Sequence, residues 1–188
     1  MKLLLASNSP RRKELLAGLD YPMEVVKLKD IDETHPEGFE AGDIPLHIAK
    51  LKMSAYDIPL AEDEVLVTAD TIVWCEGEEM GKPKDREDAY RMLRKLSGKT
   101  HQVYTGVCLK TAKTETSFVC GTDVTFANLT DEQIYYYIDH YKPFDKAGAY
   151  GVQEWIGYVG VERLEGSYFN VMGLPVQRLS VALEKLKM

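Results

Sequence analysis

Three short runs in this 188-residue chain have residue types and spacings suited to chemistry on a polyanion. Ser7-Asn8-Ser9-Pro10-Arg11-Arg12-Lys13 places hydroxyls and cations where an aliphatic run hands over to a helix. The first turn of a helix offers free N–H groups and a partial positive charge, so hydroxyls and guanidinium groups beside it make a phosphate cradle. The bland alternative is a solvated basic first turn, which the helix dipole disfavours. Asp70-Thr71 lies inside VLVTADTIVWC. A carboxylate in an aliphatic strand is costly to bury unless it is paired, hydrogen-bonded or metal-bound. It is therefore a metal ligand or general base at a cleft, or a structural Asp satisfied by backbone N–H groups. In Gly81-Lys82-Pro83 a lysine on a constrained turn could aim its ammonium at a phosphate, or simply be exposed. No GxxxxGK[ST] accompanies it, so it is not a P-loop. Asp32-Glu33, in an acidic loop, could add oxygen ligands for Mg²⁺ or be solvated.

The elements that must position these residues follow from periodicity. Residues 2–6 form a short buried strand, and Ser9 with Pro10 opens a helix whose buried face is Leu15, Leu16 and Leu19. Residues 23–26 give a second strand and 29–42 a loop. Asp43 then caps a helix with Ile44, Ile48, Leu51 and Ala55 on one face. Residues 65–75 are the most apolar strand. Asp85 opens a helix with Ala89, Met92, Leu93 and Leu96 inward, ended by Ser97-Gly98. Strands at 102–110 and 116–126 are joined by a polar turn. A capping box at Thr130–Gln133 starts a Tyr-rich helix that stops at Pro143, and residues 175–186 form a last helix. Tyr135-Tyr136-Tyr137 covers too many faces to be one stacking stripe. Early strands connect through helices and middle ones as a hairpin, which predicts a mixed α/β sheet.

Composition narrows the function classes. Thirty acidic against 23 basic residues leave a net charge of −7, which argues against general duplex-DNA or anionic-membrane binding. Any anionic ligand needs a local basic cluster. Cys75, Cys108 and Cys120 lie far apart, so neither a disulfide framework nor a zinc knuckle is expected, and a reducing compartment fits. His35, His47, His101 and His140 show no metal-binding spacing. The apolar start is too short for a signal peptide, and no run reaches a membrane span. A cytoplasmic protein is expected.

In order along the chain, LLLASNSPRRKELL, IDE, IAKLKMSAY, VLVTADTIV, GKPKDREDAYRMLRKLSGKTHQVYTGVCL, DKAGAYGVQ and GSYFNVMGLP resemble the Maf family of nucleoside triphosphate pyrophosphatases. The resemblance implies one Maf-like domain over 1–188. Its fold would be like that of the Maf and inosine-triphosphatase group: an elongated mixed sheet flanked by helices, with two lobes around a central cleft. It implies hydrolysis of a nucleoside triphosphate to monophosphate plus diphosphate with Mg²⁺ or Mn²⁺, a house-cleaning role in nucleotide pools, and a link to septum formation and cell-division arrest. Arg12, Thr71 and Gln153 match the specificity positions of the branch acting on dTTP and UTP; a sister branch selective for 7-methyl-GTP differs there. Asp70 aligns with the catalytic acceptor and, with Glu33, with the metal ligands. Ser7, Arg11, Arg12, Lys52 and Lys82 fall on phosphate-side positions. Where many members follow the Gln with Gly, this chain has Glu154-Trp155, and Trp155 either stacks on a base or fills the core beneath it. The implied partner is a small nucleotide, with no stable nucleic acid and no membrane; a homodimer stays open. The readings together place Arg12 and Asp70 within reach of one small molecule.

Overall fold

Alternation of side chains along three strands decides how the sheet is covered. A computed structural model describes residues 1–186. In β1 (Lys2–Leu5), β3 (Glu64–Cys75) and β5 (Thr100–Lys110), side chains of opposite parity face opposite ways. Leu3, Leu5, Val65, Val67, Ala69, Val107 and Leu109 share one core. It is closed by Leu16 of α1 (Pro10–Ala17) and by Leu179 and Leu183 of α7 (Val176–Lys185). Leu4, Ala6, Leu66 and Cys108 point the other way, against Ala49 and Met53 of α2 (Asp43–Ser54). These strands read as continuous apolar runs because both faces are covered.

The remaining elements are β2 (Met23–Val25), β4 (Glu78–Met80), α3 (Arg86–Leu96), β6 (Glu115–Phe126), α4 (Asp131–Tyr141), α5 (Trp155–Gly160), β7 (Val161–Glu165) and α6 (Tyr168–Met172). A single 3₁₀ turn spans Ala147–Ala149. The strand order is β2-β1-β3-β5-β6-β7, with β4 paired to β3. β1 runs parallel to β2 and β3, whereas β3–β4 and β6–β7 are antiparallel, so the expected mixed α/β sheet is present.

The described chain divides into two compact units, residues 1–70, 105–120 and 173–186 forming the first and residues 71–104 and 121–172 the second. The division falls between Asp70 and Thr71 in the middle of β3. In the second unit Ala89, Met92, Leu93 and Leu96 pack with Phe126, Ile134, Tyr137, Ile138 and Ile156.

Three helix starts lie where cap chemistry predicts. Ser9 accepts from Arg12 N–H, Asp85 accepts from Asp88 N–H, and Thr130 and Gln133 form the reciprocal capping box. Asp43 differs: it is the first helical residue, not the cap, and Gly42 holds the cap position without a side-chain bond. An acidic group suits that positive first turn equally well. The predicted face also overran this helix, since Ala55 lies just past Ser54. α4 ends one residue before Lys142, which takes a left-handed conformation ahead of Pro143. Cys75 and Cys108 are buried free thiols and Cys120 is half-buried. Burial pushes the Cys108 thiol up to about 11, which keeps it protonated and inert. Among the described residues no helix is long and apolar enough to cross a membrane.

Candidate active site

The first unit builds its charged site from strand parity and one helical turn. On β3, Thr68 and Asp70 are two residues apart and so share a face. Thr68 Oγ1 donates to the Ala49 carbonyl of α2 at 2.7 Å. One turn further along α2, Lys52 Nζ donates to Asp70 Oδ1 at 2.7 Å. A two-residue step on the strand thus meets a three-residue step on the helix. Lys52 sits in the last turn of α2, where the helix carbonyls favour a cation. Its ammonium also lies 3.2 Å from Glu33 Oε1, in the loop between β2 and α2. Lys52 and Asp70 are mostly buried, with 13% and 17% of their side chains exposed, whereas Glu33 is open to solvent.

Arg12 is held from the other side of its own chain. It stands in the first turn of α1, and its Nε donates to the Gly173 carbonyl at 2.8 Å. Gly173 has φ +117, a conformation open to glycine, and this conformation sets the direction of that carbonyl. Burial pushes the Arg12 guanidinium below its ordinary value, and Arg11 adds to the shift; the negative charges of Asp70 and Glu33 oppose it. Arg12 therefore lies within the field of both carboxylates. Ser7 turns its hydroxyl inward to accept from Ser9 N–H at 3.2 Å, which shapes the loop that starts α1. Arg11 is half-buried on the same first turn.

Two carboxylates turned toward one ammonium suit a divalent cation. Among the described residues no cluster of three or more His, Cys, Asp or Glu side chains is arranged to hold a metal by itself. Mg²⁺ does not require one: it takes one or two carboxylates and fills its shell with water and phosphate oxygens. Asp70 and Glu33 fit that donor set, and Lys52 already stands in for the cation between them.

The other predicted residues lie in the second unit. Thr71 follows Asp70 on β3 and is half-buried. Lys82 is exposed on the turn after β4, while its neighbour Pro83 is buried. The Gly81 carbonyl accepts from Gly148 N–H at 3.0 Å, which ties that turn to the segment leading to Gln153. Gln153 Oε1 is buried and has no hydrogen-bond partner among the described residues. Trp155 is half-buried, packs on the core and meets Tyr136 at 4.8 Å between ring centroids.

Sequence reading missed three polar residues here. Lys146 is buried and pairs with Asp145 and Glu154, at 2.8 and 3.2 Å. Tyr137, the fully buried member of the Tyr run, donates to Glu154. Burial and the Glu154 charge push its phenol well above the usual range, so it keeps its proton. The available signal was a lone lysine ahead of the apolar Ala-Gly-Ala-Tyr run.

A protein named dTTP/UTP pyrophosphatase from Phocaeicola vulgatus is 60% identical over 185 residues, covering 98% of this chain and 96% of the relative. One of the same name from Bacteroides fragilis is 57% identical over the same shares. Another from Flavobacterium psychrophilum is 51% identical over 97% of this chain and 93% of its own. Among solved structures, a HAM1 protein from Coxiella burnetii superposes with a TM-score of 0.53 at 15% identity, covering 98% of this chain and 99% of that one, which shows the fold alone. The model of the Maf-like protein family matches residues 2–186. With that match and relatives more than half identical along nearly their whole length, the chain belongs to the Maf family.

Proposed function

We propose that this protein hydrolyses dTTP and UTP to the nucleoside monophosphate and diphosphate. The observation that carries the reading is the grouping of Asp70, Glu33 and Lys52 within the field of Arg12. Cations for a polyphosphate stand beside carboxylates for its counter-ion. The names of the relatives give the base preference. One family model runs through residues 2–186, so we read 1–188 as a single Maf-like domain, two residues of which lie outside those described. A small-molecule substrate and the acidic charge fit a cytoplasmic nucleotide-pool enzyme.

Arg11, Arg12, Lys82 and Lys52, with Ser7 and the start of α1, offset the charge of the phosphates. Lys52 occupies Asp70 Oδ1, which leaves Oδ2 to orient and deprotonate a water for attack on the α-phosphorus. Diphosphate leaves as the P–O bond between the α- and β-phosphates breaks. A divalent cation held by Asp70 and Glu33 supplies further neutralisation of phosphate charge when bound. Arg12 and Thr71 act in base selection. Gln153 reads the base: its amide offers both a donor and an acceptor to the carbonyl and ring N–H of thymine or uracil, and its buried Oε1, with no donor among the described residues, leaves the side chain free to turn its amide to that edge.

Diphosphate release across a panel of UTP, dTTP, GTP and 7-methyl-GTP, with Mg²⁺, with Mn²⁺ and with chelator, tests the proposal. UTP and dTTP are expected to lead, with activity lost on chelation. A panel led by 7-methyl-GTP rejects the base assignment, and no diphosphate from any nucleotide rejects the enzyme.

A further inference from the structure

The segment carrying Gln153 is gripped on both sides by a polar clamp. Each carboxylate oxygen of Glu154 has its own partner: Oε2 accepts from the Tyr137 hydroxyl, and Oε1 lies 3.2 Å from Lys146 Nζ. Gly151 N–H donates to the same Tyr137 oxygen at 3.0 Å. A Cβ at Gly151 would stand 3.0 Å from Glu154 Cδ and 3.1 Å from Lys146 Cε, so glycine lets the chain close around the clamp. The Lys146 side chain is only 9% exposed, and a cation so buried is costly unless paired. Between the gripped Gly151 and Glu154 lie Val152 and Gln153, whose Oε1 is buried without a partner.

We infer that Tyr137, Lys146 and Glu154 are positioning residues for base selection, which hold the backbone from which Gln153 turns its amide to the base edge. The inference rests on Gln153 reading the base, as proposed above. Glutamine has three side-chain torsions and selects poorly unless its backbone is fixed; displacement of a contact by about 1 Å can cost 10²-fold. The charge of Glu154 balances Lys146 through Oε1 while its Oε2 ties α4 to the segment.

Steady-state kinetics on UTP and GTP test this with the full-length protein and its Glu154→Ala, Glu154→Gln, Gly151→Ala and Gln153→Ala variants. Glu154→Ala is expected to lower the UTP-over-GTP ratio of kcat/KM by about 10–100-fold, mainly through KM for UTP, with GTP turnover unchanged. Gly151→Ala, which removes no polar group, moves the ratio the same way. Glu154→Gln keeps an acceptor for Tyr137 and restores most of the ratio. If Gln153→Ala lowers the ratio while Glu154→Ala and Gly151→Ala leave it intact, the clamp is only structural and the inference fails. Equal losses on UTP and GTP overturn it in the same way. If Gln153→Ala itself leaves the ratio unchanged, the base reading fails and takes the clamp's role with it.

Discussion

Lys52 holds Asp70 and Glu33 with one ammonium, and removing either end of that contact leaves a different defect. Asp70→Asn keeps the shape and the hydrogen-bond acceptor but loses the charge that, in the proposed mechanism, takes a proton from water. Turnover is expected to fall by about 10²–10⁴ with little change in KM, read as diphosphate release from UTP. Lys52→Met instead leaves a mostly buried carboxylate without its cation, so both stability and phosphate affinity should fall. Arg12 depends on its fork: Nε donates to the Gly173 carbonyl, and the planar guanidinium carries five N–H donors, so one side chain can hold that carbonyl and face a phosphate as well. A lysine has a single nitrogen and cannot do both. Arg12→Lys is expected to raise KM for UTP about tenfold, equivalent to about 1.5 kcal/mol for one charged hydrogen bond. An unchanged KM would remove Arg12 from phosphate binding. Asp70 and Arg12 were legible in the sequence because each breaks a local rule, one a charge in an apolar strand and the other cations at a helix N-terminus. Gly173 was not legible as a partner of Arg12, since the contact spans 161 positions of chain.

At the scale of elements, α2 sets where Lys52 stands, and two contacts set α2. Thr68 latches its middle through the Ala49 carbonyl, and Gly106 of β5 lets its first turn approach the sheet. A Cβ at Gly106 would lie 2.4 Å from Leu46 N and 2.5 Å from Leu46 Cα, which is backbone and cannot swing aside. Gly106→Ala must push the helix back. A loss of about 1–3 kcal/mol is expected by urea unfolding, together with weaker UTP turnover as Lys52 moves with its helix. Wild-type turnover in a destabilised Gly106→Ala protein would show that α2 does not position Lys52. Helices with strong caps and clear periodicity, such as α3 and α4, were readable to within a residue or two. β4 was missed because Glu78, Glu79 and Met80 hold no alternation long enough to register, and the strand exists only by pairing with Val73–Cys75. The Tyr137–Glu154–Lys146 clamp was missed for a related reason: the run of three tyrosines covers too many faces to single out Tyr137, and its hydroxyl chemistry depends on a segment 17 residues away.

The whole molecule carries a net charge of −7, so a polyanion is drawn in only where Arg11, Arg12 and Lys52 outweigh that field locally. Stability also has an acid limit. His101 is fully buried against Tyr150, and burial lowers its pKa to about 4. The unfolded chain takes up that proton near pH 6.5 and the folded one only near pH 4. About 3 kcal/mol of stability is thus present above pH 6.5, declines between those values and is absent below the lower one. Urea midpoints measured from pH 7 to pH 4.5 should fall, and His101→Gln, which has no proton to gain, should flatten that fall. A His101→Gln slope equal to wild type would assign acid sensitivity to other groups. The reaction itself is tested most directly by turnover of UTP in ¹⁸O-labelled water. Attack at the α-phosphorus by a water held on Asp70 places the label in UMP and none in the diphosphate. Label in the diphosphate, or release of orthophosphate in its stead, would contradict the assignment.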